Sequence, residues 1–358
     1  MKRIVFLLMI STGFCAGCSE EEKILPVADF ETLNSEPAKL ELKIHSNEFT
    51  IGMIGDILLH NPLYTYPDYN SSFAAVKEKM MSIDYLLANQ ESLPGGAELG
   101  LSGYPRFNSP KHIIRDLKKN GVDMLSIANN HTMDQTGSGL LKAIAHMKEY
   151  GMPYVGAYES SEDRDTKRII EVNNIRVGVL GYTYGLNGMP TPAGRDYMVS
   201  LINQQQMIED VTEMKKHVDL TVVSIHWGIE YQLEPSEEQR ELAGMLADAG
   251  VDIIFGHHPH VLQPYVEIGK TKVFYSLGNF YSAQQFDSTN IGGIAEVPVS
   301  KSELAGRSFI AVGTPTFSPT AVIRDKNRKY VVVPLQQAGD AVEYDTAWVE
   351  NQVGLSAK

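Results

Sequence analysis

Cysteine is nearly absent from this 358-residue chain: it occurs only as Cys15 and Cys18, close to the N-terminus. The rest of the chain therefore has no disulfide framework, no cysteine-based zinc site and no thiol nucleophile. Basic residues are in deficit, and the net charge of −13 argues against nucleic acid as a partner, because phosphate backbones bind basic surfaces. Gly-x-Ser-x-Gly, phosphate-loop and dinucleotide-binding patterns are missing, which argues against the enzyme classes they mark.

Apolar runs of membrane-spanning length are also missing. The run at residues 4–10 is too short to cross a bilayer and indicates a signal peptide over residues 1–17. It ends in Cys15-Ala16-Gly17-Cys18, which resembles a lipoprotein signal box. We therefore expect an exported chain that is anchored to the membrane by lipidation of Cys18. A signal that is cleaved without lipidation is the alternative.

The remaining chain is expected to form one large domain. A polar, aperiodic stretch follows the signal peptide and reads as a tether. The predicted segments are a tether at 18–47, a domain at 48–345 and a C-terminal tail at 346–358.

Helical and β-rich segments alternate along most of the domain. Helices are predicted at 73–81, 110–119, 204–216 and 236–249, and strands at 49–54, 85–88, 123–128, 220–225, 252–255 and 273–277. This alternation favours an α/β fold with a largely parallel sheet covered by helices. Residues 168–180 read as a hairpin, and the strand-rich stretch at 292–335 could pair a second sheet against the first.

Residues that bind metals recur where the predicted strands end. In open α/β sheets, ligands bind beyond the carboxyl ends of the strands. Six of the ten histidines lie at or just after such ends. The candidate ligands are Asp56, His60, Glu91, Asn130, His226, His258 and His260.

Each of these residues alone has a simpler explanation. A single histidine after a strand is more often a loop residue, an aspartate a helix cap and an asparagine a turn residue. Their occurrence at five strand ends favours a metal site. Carboxylate, amide and imidazole donors without thiolate suit Zn, Mn or Fe, and so many candidates favour two ions, with Glu91 as the bridge.

Six short motifs resemble one family. They are Gly55-Asp56-Ile57-Leu58-Leu59-His60, Asn89-Gln90-Glu91, Asn129-Asn130-His131-Thr132-Met133-Asp134, His226-Trp227-Gly228-Ile229-Glu230-Tyr231, Gly256-His257-His258-Pro259-His260-Val261 and Tyr275-Ser276-Leu277-Gly278-Asn279-Phe280. In this order they resemble the bacterial CapA/PgsA capsule-synthesis family, which is related to poly-γ-glutamate capsule proteins. That family looks like a branch of the calcineurin-like metallophosphatases.

The resemblance implies a four-layer αββα sandwich and a role for each matching residue. It implies Asp56, Asn130, His226, His258 and His260 as metal ligands, with Glu91 in the place of the bridging aspartate. The first motif is spaced Asp-x-x-x-His instead of Asp-x-His, and His60 stands near the place of its histidine. His131 matches a catalytic proton donor, and Asp134 is expected to orient it.

The resemblance also implies work on an anionic cell-surface polymer or its precursor, with capsule-synthesis membrane proteins as possible partners. Candidate substrate contacts are Arg106, Trp227, Glu230 and Asn279. A metal-dependent hydrolase of a phosphoester or amide bond is the first hypothesis. A non-catalytic, polymer-binding accessory protein is the second, and an exported phosphoesterase or nucleotidase is the third.

Overall fold

The computed structural model describes residues 45–284, 286–304 and 307–356. The predicted signal peptide, Cys18 and nearly all of the predicted tether lie outside these residues. Within the described ranges, no helix has both the length and the hydropathy that a membrane span requires.

The described residues contain fifteen strands and seven α-helices. The strands are β1 (His45–Ile57), β2 (Tyr85–Gln90), β3 (Met124–Ser126), β4 (Tyr154–Val155), β5 (Ile169–Val172), β6 (Ile175–Thr183), β7 (Leu220–His226), β8 (Ile253–His257), β9 (Leu262–Ile268), β10 (Thr271–Leu277), β11 (Asn279–Tyr281), β12 (Ile291–Leu304), β13 (Arg307–Val312), β14 (Thr316–Arg324) and β15 (Tyr330–Pro334). The helices are α1 (Lys77–Met81), α2 (His112–Lys119), α3 (Thr136–Glu149), α4 (Ser161–Asp165), α5 (Gln204–Met214), α6 (Glu237–Ala249) and α7 (Thr346–Val353).

These strands form two sheets. The first runs in the order β15-β14-β12-β1-β2-β3-β4, with β11 paired to β1 and β13 to β12. The second runs in the order β5-β6-β7-β8-β10-β9. In the first sheet β1, β2, β3 and β4 are parallel, and in the second β6, β7, β8 and β10 are parallel. Each sheet therefore has a parallel centre whose strand ends share one edge.

Three apolar clusters define the layers. Between the sheets, Met53 of β1 belongs to the same buried cluster as Val222 of β7 and Phe255 of β8. On the outer face of the first sheet, a second cluster contains residues of α1, α2 and α3. On the outer face of the second sheet, a third contains residues of α5 and α6. The order helix, sheet, sheet, helix confirms the predicted four-layer αββα sandwich.

Local signals fix several of these elements. Ser236 caps α6, and the reciprocal hydrogen bonds with Gln239 form a capping box. Asn173 and Asn174 both have positive φ and join β5 to β6, as the predicted hairpin requires. The longest helix, α3, is not among the predicted helices, because Gly137 and Gly139 within it weaken the helical pattern.

The C-terminal strands differ from expectation in their partners. Residues 292–335 could have formed a second sheet, but β12 pairs antiparallel with β1 and extends the first sheet instead. The second sheet is built from the middle of the chain. The segment predicted as a tail from residue 346 contains α7, whose Val349 and Val353 are buried in the cluster between the sheets. At the other end, β1 begins at His45, inside the predicted tether.

Candidate metal centre

The carboxyl ends of the parallel strands of the two sheets meet at one place. Asp56 lies at the end of β1, Glu91 directly after β2 and Asn130 shortly after β3. His226 ends β7 in the second sheet, and His258 directly follows β8. All five side chains are at most 4% exposed. The buried polar cluster therefore lies beyond the carboxyl ends of the parallel strands, where ligands of open α/β sheets are expected to bind. We call this expectation the strand-end rule.

Gly55 lets Asp56 reach this position. A Cβ atom on Gly55 would lie 2.2 Å from the carbonyl oxygen of Gly278, so no larger residue fits without a shift of the backbone. The Asp56 N–H donates to that same carbonyl oxygen at 2.9 Å. This close approach fixes the end of β1 beside the residues that follow β10.

Four donors hold the Asp56 carboxylate. Oδ1 accepts hydrogen bonds from Asn89 Nδ2 at 2.8 Å and from His257 Nδ1 at 3.0 Å. Oδ2 accepts from the His258 N–H at 3.2 Å and from His260 Nδ1 at 3.1 Å. Burial alone would raise the pKa of Asp56, but the bonds from His257 and His260 outweigh it and hold that pKa well below its usual range. Asp56 is thus an oriented carboxylate.

Glu91 is held differently, because neither of its carboxylate oxygens has a hydrogen-bond partner although the residue is fully buried. Its Oε1 lies 3.6 Å from both His226 Nε2 and His260 Nε2. Burial raises the pKa of Glu91 well above its usual range, and His260 only partly opposes this. A buried carboxylate without donors is costly unless a cation compensates it.

His226 and Asn130 share one corner of the cluster. His226 Nε2 lies 3.0 Å from Asn130 Oδ1, and Asn89 Nδ2 is 3.4 Å from its Nδ1. Burial, followed by the neighbouring His258, lowers the pKa of His226 well below its usual value. The imidazole is therefore neutral near pH 7, as a metal ligand must be.

The turn after β8 carries strained backbone. His258 has φ +97° and His260 has φ +59°, a region that non-glycine residues avoid at a cost of about 1–3 kcal/mol each. This turn directs both imidazoles into the cluster, where Glu91, His258 and His260 form one group of potential ligands. Burial and His260 lower the pKa of His258 to about 3, and its Nδ1 has no hydrogen-bond partner.

Two overlapping groups of residues within the cluster could hold a metal ion. One comprises Glu91, His258 and His260, and the other Asp56, Glu91 and His226, with potential ligand atoms within 4.8 Å of one another in each group. Glu91 is common to both. The structure thus brings together Asp56, Glu91, Asn130, His226, His258 and His260 from the predicted set.

His60 lies apart from both groups. Its ring packs edge-on against Phe107, with centroids 5.1 Å apart, and its Nδ1 has no hydrogen-bond partner. Burial and the nearby His260 lower the pKa of His60 to about 4. The structure places this predicted ligand on the wall of a neighbouring cavity, because the Asp-x-x-x-His spacing carries it past the end of β1.

His131 and Asp134 form a buried pair beside the same cavity. His131 Nδ1 donates to Asp134 Oδ2 at 2.7 Å, since the carboxylate can only accept. The same oxygen accepts from the Phe107 N–H at 2.6 Å, and the rings of Phe107 and His131 meet edge to face at 4.7 Å. Asp134 therefore fixes the orientation of the imidazole and leaves its Nε2 free of this bond.

A cavity of about 270 Å³ opens beside the cluster. His60, His131 and His260 contribute to its wall, together with Tyr104 and Glu230 near the surface. Glu230, a predicted substrate contact, is exposed and lines this cavity. Such a volume lies near the lower limit of about 300–1,000 Å³ for ligand pockets, so it suits one small group.

The other three predicted substrate contacts lie elsewhere. Arg106 is exposed, and its guanidinium donates to the Met189 thioether at 3.5 Å. Trp227 is buried in the cluster between the second sheet and its helices, where its Nε1 donates to the Tyr275 carbonyl oxygen. Asn279 is fully buried and accepts a hydrogen bond from His260 Nδ1 at 3.1 Å. Trp227 therefore stabilises the fold, and Asn279 helps to orient His260.

Three residues of the site are not among the predicted ligands, catalytic residues or substrate contacts, although Asn89 and His257 stand within the quoted motifs. Asn89 and His257 hold Asp56, and both lie at the end of a strand like the predicted ligands. Tyr184 follows β6, and its ring lies 4.6 Å from that of His258. Burial and Glu230 raise the pKa of Tyr184 to about 12. The strand-end rule contained a signal for all three.

The region that contains these motifs is similar to known proteins of one family. The family profile described as "Bacterial capsule synthesis protein PGA_cap" matches residues 50–284. "PGA biosynthesis protein CapA" of Bacillus subtilis (strain 168) is 31% identical over 338 residues, which cover 92% of this chain and 84% of that protein. "Capsule biosynthesis protein CapA" of Bacillus anthracis is 31% identical over 307 residues, which cover 81% and 74%.

Among solved structures, the 5'-nucleotidase precursor of Thermus thermophilus aligns with a TM-score of 0.47 and 14% identity. That alignment covers 85% of this chain and 57% of the nucleotidase chain. The profile match includes every motif from Asp56 to Asn279, so the resemblance predicted from the sequence is confirmed. This chain belongs to the bacterial capsule synthesis protein PGA_cap family.

Proposed function

We propose that this protein is a metal-dependent hydrolase of the cell envelope, acting on a phosphoester or amide bond in the synthesis, anchoring or turnover of a capsule or poly-γ-glutamate polymer. One observation carries the proposal. The Glu91 carboxylate is fully buried without a hydrogen-bond donor and lies 3.6 Å from two imidazole nitrogens. A divalent cation would compensate this charge and use those nitrogens as ligands.

The spacing of the donors fits such an ion. Ligand atoms that share an ion at about 2.0–2.2 Å are separated by roughly 3–3.6 Å. His226 Nε2 lies 3.0 Å from Asn130 Oδ1 and 3.6 Å from Glu91 Oε1. His260 Nε2 lies at the same 3.6 Å from Glu91 Oε1, while its Nδ1 is held by Asp56. The Nε2 atom of His260 is therefore the one available to an ion.

The residues that would hold two ions are Asp56, Glu91, Asn130, His226, His258 and His260, and Glu91 belongs to both groups of potential ligands. Oxygen and imidazole donors without thiolate suit Mn, Zn or Fe. When bound, such ions lower the pKa of a coordinated water toward about 7 and stabilise a developing oxyanion.

His131 is proposed as the group that moves a proton. Asp134 holds its Nδ1, so Nε2 can accept or deliver a proton at a substrate in the adjoining cavity. Phe107 excludes water from one side, since its ring is fully buried against His131. This arrangement supports the proposal that His131 exchanges a proton beside the proposed ions and that Asp134 orients it.

We also propose that the protein is exported and anchored by a lipid on Cys18. The basis is the short apolar run that ends in Cys15-Ala16-Gly17-Cys18. Intact-mass analysis of the mature protein tests this, because the native chain should carry acyl groups. A Cys18→Ala form should lose them and partition into the aqueous phase of a detergent separation.

A substrate panel tests the hydrolase proposal. Protein purified from Mn- and Zn-replete cultures is assayed on phosphoesters and on γ-glutamyl oligomers, beside the His258→Ala and His226→Ala variants. We expect turnover that falls together with metal content in both variants. A wild-type protein that holds metal and hydrolyses neither class would favour the accessory, polymer-binding role instead.

A further inference from the structure

Exposed aromatic side chains are concentrated at the mouth of the site. Among the described residues, five tyrosine or phenylalanine side chains are exposed, and four of them line the cavity or contact residues of the site. Two line the cavity, one lies against His258 with ring centroids 4.6 Å apart, and one packs on its neighbour at 5.2 Å. We call these four residues the aromatic rim: Tyr104, Tyr231, Tyr184 and Phe286.

Folding alone does not explain the rim. Its members are 42–75% exposed, so they contribute little to the core. Tyr231 also has φ +65°, a left-handed conformation that disfavours bulky side chains. Its N–H donates to the Pro259 carbonyl oxygen at 2.8 Å, which ties the rim to the strained turn of His258 and His260. A strained, exposed aromatic residue beside a buried polar cluster points to ligand contact.

The charges around the cavity restrict that ligand. None of the described residues that line the cavity is a lysine or an arginine, and Glu230 places a carboxylate at its mouth. Arg106 is near in sequence, but its guanidinium contacts the Met189 thioether. Repeated carboxylates or phosphates are normally bound by arginine and lysine. The rim therefore does not match a chain of negative charges.

The side chains of the rim and of the cavity mouth suit a ligand with an uncharged ring. Aromatic faces bind flat apolar surfaces, while phenol hydroxyls and a carboxylate bind hydroxyl or amide groups at the edge of a ring. The Tyr184 ring lies 4.6 Å from the ring of His258, which links the rim directly to the proposed ligands. The cavity volume of about 270 Å³ limits this part of the ligand to about one ring.

We propose that the aromatic rim is a substrate subsite that binds an uncharged ring attached to a phosphate ester, with the phosphate directed to the buried cluster. This inference rests on the proposed hydrolase function and names its substrate class. A sugar and a nucleoside share the required chemistry. A polyglutamate chain and an acyclic phosphate ester lack it.

Calorimetric titration of the full, metal-loaded protein tests the subsite with phosphonate analogues that resist hydrolysis. The probes are the analogues of glucose 1-phosphate, of AMP and of acyclic glycerol 3-phosphate, together with a γ-glutamyl oligomer. We expect at least one ring-bearing probe to bind about tenfold more tightly than the acyclic one. Whichever ring binds more tightly shows whether the subsite takes a sugar or a nucleoside. In Phe286→Ala and Tyr231→Ala, the ratio of the affinity for the ring-bearing probe to the affinity for the acyclic probe should fall toward one.

Phe309→Ala is the matched control, since Phe309 is 54% exposed and lies outside the rim. It should leave the ratio unchanged. Equal binding of ring and acyclic probes, tighter binding of the γ-glutamyl oligomer, or a ratio that survives both rim substitutions would overturn the subsite while leaving the hydrolase proposal standing. Metal analysis of the same preparation separates the two, because a protein without metal contradicts the proposed function itself and the subsite with it.

Discussion

The imidazole of His260 links the two buried carboxylates of the site: its Nδ1 lies 3.1 Å from Asp56 Oδ2, and its Nε2 lies 3.6 Å from Glu91 Oε1. Burial alone would lower the pKa of His260, but the Glu91 and Asp56 carboxylates raise it to about 9. In the absence of metal, His260 therefore carries a proton on Nε2 near pH 7. An ion bound at His260 Nε2 would replace that proton.

Metal affinity should consequently depend on pH through His260. An ion that binds Nε2 must displace the proton, and the raised pKa of Glu91 adds a second proton to be released, so the apparent association constant for Mn²⁺ should rise at least about tenfold per pH unit between about pH 6.5 and 8.5. His258, with a pKa of about 3, is neutral throughout this range and adds no slope. Calorimetry in buffers of different ionisation enthalpy should record the released proton. An affinity that stays flat over this range would contradict the assignment of His260 as a ligand.

His60 should prove dispensable for metal binding. The residue belongs to neither group of potential ligands and faces the cavity. We expect His60→Ala to retain the full metal content while activity falls, whereas His258→Ala should lose metal. Elemental analysis of both variants, purified side by side, provides the measurement. A parallel loss of metal in His60→Ala would instead make His60 a ligand, as the sequence predicts.

Asp134→Asn tests the proton-transfer pair. Asparagine retains the shape of the side chain and an oxygen that can accept from His131 Nδ1–H and the Phe107 N–H, but it lacks the negative charge that stabilises a protonated His131. We expect kcat to fall by about 10²–10⁴-fold on the substrate found in the panel, with metal content unchanged. The pH profile of kcat should also change shape. Wild-type turnover with an unaltered profile would remove His131 from the proposed mechanism.

Helix α7 should contribute measurably to stability. The Val349 side chain is 1% exposed in the cluster between the sheets, so Val349→Ala should lower the free energy of unfolding by about 2 kcal/mol. Asn351→Ala in the same helix changes an exposed residue and should stay within about 0.5 kcal/mol of wild type. Urea unfolding curves compare the two. Equal stabilities would mean that residues 346–353 act as the tail expected from the sequence.

The sequence was most informative where a local rule determines position. The carboxyl ends of parallel strands meet at one edge, so Asp56, Glu91 and His226 could be grouped before their contacts were known. Alternation of side chains along a strand would also have excluded Trp227 from the site. Since it directly follows His226, it points to the opposite face, where it packs against helices.

Long-range pairing could not be predicted in the same way. The alternating pattern of residues 292–335 indicates strands but carries no record of their partner, and β12 joins β1 rather than a separate sheet. The lack of hydrogen-bond donors at the Glu91 carboxylate could not be predicted either, because a sequence shows which residues ionise but not which donors surround them. Tyr184 was overlooked since a phenol is not a usual metal ligand, although it follows β6 as His226 ends β7.

The metal content of the purified protein tests the central claim most directly. Elemental analysis is carried out on wild type, on Glu91→Gln and on Glu230→Gln, a matched change of an exposed glutamate at the cavity mouth. We predict close to two equivalents of Mn, Zn or Fe in wild type and Glu230→Gln, and a large loss in Glu91→Gln. Wild-type protein that stays free of metal after export in Mn- and Zn-replete medium, or Glu91→Gln that retains its full content, would contradict the account.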